Sequence, residues 1–195
     1  MSEYIILRDT RLHGTLPNAF TAWWNNLNII TTSGSTPLRN AFRSINDLYR
    51  EHGRMHTLFI LCHGFAGQSE RLGVCGDVGG QGLQLGRETV LHDNVSLWEQ
   101  IQGTVDNIVV YACAASNTEA GNEFTREDGR YLMGALAIHT NATVYAANRI
   151  QWYNASNFDF GRWEGQPYRF SSSGYDPRPV SHPPVELRDV ASVFA

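Results

Sequence analysis

Lysine is missing altogether: the 15 basic side chains of this 195-residue sequence are all arginine. Ordinary usage would supply on the order of ten lysines in such a chain. One reading is compositional drift, although Asn, whose codons resemble those of Lys, is plentiful. The other is avoidance of lysine chemistry such as ubiquitin tagging, which would suit an effector or toxin module delivered into another cell. An excess of positive charge is missing too. The formal charge of −4 and a pI near 5.9 argue against a general nucleic-acid surface. No apolar run approaches the roughly 20 residues of a membrane helix. The opening "MSEYIILRDTRLHG" lacks the basic-then-apolar order of a secretory signal. The expected location is therefore the cytoplasm, or the cytosol of another cell. Cysteine is scarce: Cys62, Cys75 and Cys113 are an odd set that makes no disulfide framework and fits a reducing compartment. With neither C-x-x-C nor paired H-x-x-x-H spacing, no metal site and no cofactor are expected.

What is present reads as a single domain with a core over about residues 55–150 and a loop-rich segment over 151–195. "EYIIL" (Glu3 to Leu7) predicts a strand, whereas the Asn- and Thr-rich stretch from Arg8 to Ser35 shows no clear period. Thr36 to Gly53 predicts a helix: Thr36 can cap it, Pro37 suits its first position, and Leu38, Phe42, Ile45, Leu48 and Tyr49 share one face. "HTLFILCHG" and "DNIVVYACA" are continuous apolar runs, the mark of strands buried on both faces. Between them, "GVCGDVGGQGLQLGRE" predicts a hairpin or surface loop, since it lacks the Gly-Lys-Ser/Thr ending of a phosphate loop, and "NVSLWEQIQG" predicts a short helix. "EDGRYLMGALAIHTN" predicts a helix closed by Asn141, and "ATVYAAN" a further strand. After Arg149 the chain turns aromatic and proline-rich, with room for one hairpin. Alternating strands and helices predict an α/β fold, with a mostly parallel sheet covered on both faces.

Ligands of such sheets bind beyond the carboxyl ends of the strands. Two of the buried strands end in reactive residues, His63 and Cys113. If the strands are neighbours, an imidazole lies beside a thiol, the arrangement that activates a sulfur nucleophile. The amides of Gly64 and Cys113 are then candidate donors to a developing oxyanion. Cys62 precedes His63 and should face the core. Asp77 in the glycine-rich stretch is a candidate pocket residue for a basic substrate group, with a turn-forming role as its plainer reading.

The order is His then Cys, 113 − 63 = 50 residues apart. An apolar strand ending His63-Gly64, followed by one ending Ala112-Cys113, resembles the core of the caspase-like cysteine peptidase clan, and "GLQLG" and "GRYLMGALAIHTNATVYAAN" look closest to its bacterial members. The resemblance covers Leu58 to Asn148, roughly half the chain. It implies a three-layer sandwich, a His63–Cys113 dyad and an endopeptidase acting through a thioester on a protein or peptide, as a bacterial effector or toxin or as a self-processing module. Arg149, with Asn148 beside it, stands near the position of a substrate-binding arginine of caspases. Animal caspases place Gln before the Ala and Gly two residues after the Cys, and metacaspases place Asp two before it. Here Tyr111 and Ala115 occupy those positions, so neither specificity carries over. The competing expectation is an inactive module that keeps the fold for binding, with Trp152, Tyr153, Phe158, Phe160, Trp163 and Tyr168 as a docking surface or, more simply, as packing over a sheet edge.

Overall fold

The computed structural model describes residues 3–16, 23, 26–65, 80–118, 121, 123–125 and 128–191. It is an α/β arrangement built on a seven-stranded mixed sheet. The strands β1 (Tyr4–Asp9), β2 (Leu27–Thr32), β3 (Met55–Leu61), β7 (Val105–Tyr111) and β8 (Thr143–Ala147) run parallel. β9 (Pro167–Ser171) and β10 (Gly174–Pro179) extend the sheet antiparallel, giving the order β10-β9-β8-β7-β3-β1-β2. A second, three-stranded sheet joins β4 (His63–Phe65), β5 (Gly82–Gln84) and β6 (Val90–Leu91). Among the described residues no helix is long and apolar enough to cross a membrane.

The apolar runs foreseen as doubly buried strands are so: Leu58, Phe59, Ile60 and Leu61 are all inaccessible, as are Ile108, Val109 and Val110. Alternation sends Leu58 and Ile60 to one face and Phe59 and Leu61 to the other. The first face is covered by α1 (Leu38–His52), the 3-10 helix Val95–Ile101 and α2 (Gly129–Thr140), with Trp98 packed edge-on against Phe42. Over the second face lie Leu12, Phe158, Phe160 and the short α3 (Leu187–Ala191), which inserts Leu187. Among the described residues helical cover is thus unequal between the faces, and much of the second is covered by aromatic loop residues.

Three local readings change. Thr36 does not cap α1: its hydroxyl bonds to Ser33 Oγ, and the Leu38 amide is taken by the Glu88 carboxylate at 2.8 Å, from a loop 50 residues on. The stretch with no clear period contains β2, an edge strand whose Ile29 and Ile30 are only half-buried, which blurs its alternation. The strand ending in "LCHG" stops at Leu61, and His63 opens β4 of the second sheet. Asn141 closes α2 as foreseen, left-handed at φ 52°, whereas the helix begins only at Gly129, with Asp128 as its cap accepting from the Arg130 and Tyr131 amides.

Candidate functional site

Because β1, β3, β7 and β8 are parallel and adjacent, their carboxyl ends form one edge. Every pair between β3 and β7 has the same offset, from Met55 opposite Val105 to Leu61 opposite Tyr111, which is 50 residues. The same offset separates His63 from Cys113. The ladder continues one step past the strands, where the Cys62 amide donates to the Tyr111 carbonyl at 3.4 Å. The two reactive residues therefore leave the sheet side by side.

Gly64 shows how close the two segments come. A β-carbon at that position would stand 2.0 Å from the Cys113 carbonyl oxygen and 3.1 Å from the Cys113 nitrogen. The glycine lets one main chain lie on the other. It also brings the two foreseen oxyanion donors, the Gly64 and Cys113 amides, onto adjoining backbone.

Beyond Cys113 the chain turns sharply. Ala114 adopts φ 47°, a region few side chains accept, and its amide donates to the Arg149 carbonyl at 2.9 Å. Ser116 completes the tether, its amide bonding to Ala147 O and its hydroxyl to Ala146 O. The end of β8 thus holds the cysteine loop, and Arg149 and Asn148 lie at the same edge as Cys113. Arg149 contributes its carbonyl to this scaffold, also accepting from Gln151 Nε2, and its side chain is exposed. Asn148 Oδ1 accepts the Gln166 amide at 2.8 Å, so that oxygen already ties the following loop. Asp77 and Cys75 lie outside the described residues.

The His63 ring has one partner that sequence reasoning missed. Nε2 lies 3.2 Å from the main-chain oxygen of Arg11, just past β1. A carbonyl can only accept, so Nε2 carries the proton and Nδ1 is left as the basic nitrogen. No sequence pattern marks such a residue, since every residue has a carbonyl.

The two described cysteines are both reduced, and they differ in setting. Cys62 is buried in the α1-side core, and burial first, then the nearby Asp9 and Cys113, push its thiol well up, so it stays protonated. Cys113 is half-buried. Tyr153 feels its charge: burial, and then Cys113, raise the Tyr153 phenol, whose hydroxyl donates to the His13 carbonyl. Tyr111, in the position that would name the pocket, is turned away into the second-face core. It packs on Phe160 and Trp163 at 4.4 and 4.8 Å between ring centroids, and its hydroxyl accepts the Leu187 amide. Of the aromatic tail, Phe158 and Phe160 are buried and Tyr153 and Trp163 pack against them, over the second face of the sheet rather than over an edge, whereas Trp152 is 71% exposed. His92 and His139, for which the sequence suggests no partner, stack on Tyr131 and bond to Glu99 respectively. Among the described residues there is no cluster of three or more metal-ligating side chains.

Comparison with protein-family models, with curated proteins and with solved structures finds no match to this chain.

Proposed function

We propose that the chain is a caspase-like cysteine endopeptidase, a three-layer sandwich working through His63 and Cys113. The observation that carries this reading is the constant 50-residue register between β3 and β7, continued by the contact of Gly64 with Cys113. In the proposed reaction Nδ1 of His63 takes the Cys113 proton as the sulfur attacks the peptide carbonyl carbon. The Gly64 and Cys113 amides receive the oxyanion, and His63 returns the proton to the leaving amine as the C–N bond breaks. A thioester remains. Water, deprotonated by His63, then attacks it, releasing the acid and restoring the thiol. Arg149, Asn148 and Asp77 are the proposed substrate contacts, and a protein delivered into another cell's cytosol is the setting that the absence of lysine favours.

The test is cleavage of a peptide library by wild type and by Cys113→Ala, with iodoacetamide alkylation of Cys113 followed by mass spectrometry. Cleavage should vanish in Cys113→Ala, and His63→Ala should slow alkylation near neutral pH by about 100-fold or more. Equal cleavage by the Cys113→Ala variant overturns the assignment. The rival reading, a binding module without catalysis, draws on exposed Trp152, three residues after Arg149 in the chain. It predicts that Cys113 alkylation is indifferent to His63.

A further inference from the structure

The carboxylate of Asp9 lies at the end of β1 with no exposure at all. Burying a carboxylate is costly unless it is fully bonded, and Asp9 is. It accepts the Arg11 amide at 3.0 Å, Arg11 Nε and Nη2 at 2.7 Å each, the Gly86 amide at 2.8 Å and the Thr32 hydroxyl at 3.3 Å. Burial acts against its charge, but the Arg11 side chain, the Arg11 amide and the Gly86 amide outweigh it and hold the carboxyl below its ordinary range.

What this cluster positions is informative. Asp9 grips both the amide and the side chain of Arg11, which fixes the turn after β1, and that turn offers the Arg11 carbonyl to His63 Nε2. The pair also clamps Gly86 from both sides, since Asp9 accepts its amide and Arg11 Nη2 donates to its carbonyl at 2.8 Å. Gly86 sits two residues past β5, and β5 pairs Gln84 with His63. The ring of His63 and the backbone of His63 are thus supported by two separate routes, and both lead back to Asp9.

We propose that Asp9, acting through Arg11, is a positioning residue that fixes His63 as the Nε2–H tautomer with Nδ1 free to serve the Cys113 thiol. This deepens the dyad reading and rests on it for its catalytic meaning. The arrangement differs from a carboxylate bonded to the histidine itself: the acid orients an arginine main chain, and the main chain orients the imidazole.

The experiment uses the full chain labelled with ¹⁵N-histidine, with His63 assigned from the spectrum of His63→Gln. Wild type should show one neutral tautomer for His63, protonated at Nε2. In folded Asp9→Asn the ring should exchange between tautomers, and Cys113 alkylation should slow by about tenfold or more. Arg11→Lys keeps the charge and the carbonyl but loses the two-pronged grip, so it should show the same tautomer exchange and a smaller slowing. It serves as the deciding variant if Asp9→Asn fails to fold by circular dichroism. A folded variant that keeps both the wild-type tautomer and the wild-type rate overturns the proposal. If wild-type alkylation ignores His63, the dyad reading falls, while the tautomer spectra still judge the positioning.

Discussion

A single methyl group probes the contact on which the dyad depends. Gly64→Ala would place that methyl 2.0 Å from the Cys113 carbonyl oxygen, so one of the two main chains has to move. Overpacking of this kind costs about 1–3 kcal/mol. The expected result is a lowered denaturation midpoint together with slow Cys113 alkylation, in contrast to a change at Gly174, where a β-carbon meets nothing and the backbone is not left-handed. The two described thiols make a second prediction. Brief iodoacetamide treatment followed by peptide mapping should label Cys113 and leave Cys62 untouched until the chain is denatured, because Cys62 is buried and its thiol is held protonated. Labelling of native Cys62 would contradict that. At this scale the sequence exposes side chains and hides main chains. His63 and Cys113 are legible because imidazole and thiol carry rare chemistry. Arg11 is not, because what it gives His63 is a carbonyl oxygen.

Among elements, α1 shows what a local pattern can and cannot carry. Its apolar face and its glycine stop are written in consecutive residues, with Leu38, Phe42 and Ile45 buried but Tyr49, expected on the same face, exposed, and Gly53 ends it at φ 81°. Its cap is Glu88, which no window around Thr36 contains. Replacing Glu88 with Ala should therefore cost about 0.5–2 kcal/mol of unfolding free energy, the usual worth of a cap, whereas Thr36→Ala should cost less. The pH dependence follows in sign. Burial opposes the Glu88 charge, but the Leu38 amide and the neighbouring Arg87 leave its folded pKa lowered. Asp9 is lowered as well, against its own burial, by Arg11 and Gly86. A group lowered on folding stabilises the protein above its unfolded pKa and loses that contribution as pH falls through the folded one. Chemical denaturation should thus show stability dropping below about pH 4, and Asp9→Asn should flatten the drop. The strand β2 escaped the sequence because, at the sheet's edge, its residues answer to one neighbour and to solvent, and neither imposes a strong period.

For the whole molecule, alternation of apolar runs with one clear helix was enough to read an α/β fold with a parallel sheet. The antiparallel extension by β9 and β10 was legible only as room for a hairpin, since nothing in "PYRFSSSGYDPRP" says which strand it will join. Its joining has a measurable result. The segment after Arg149 is part of the same sheet as β1, and Tyr111 from the middle of that sheet holds α3 through the Leu187 amide. Unfolding followed by tryptophan fluorescence and by far-ultraviolet circular dichroism should give coincident transitions. Tyr111→Phe should lower stability by about 1 kcal/mol while leaving cooperativity intact. The fixed ladder between β3 and β7 also governs how such a protein can vary in length. Residues gained or lost in the exposed turns of the connection between the two strands leave the pairing untouched, whereas β4 to β6, Gly86, Glu88 and the helix carrying Trp98 hold the rest of that connection in place. A single residue removed inside either strand reverses the side chains beyond it in that strand and breaks the shared offset by which His63 and Cys113 leave the sheet together. Descendants of this chain could therefore differ widely in loop length while keeping the lengths of these two short strands unchanged.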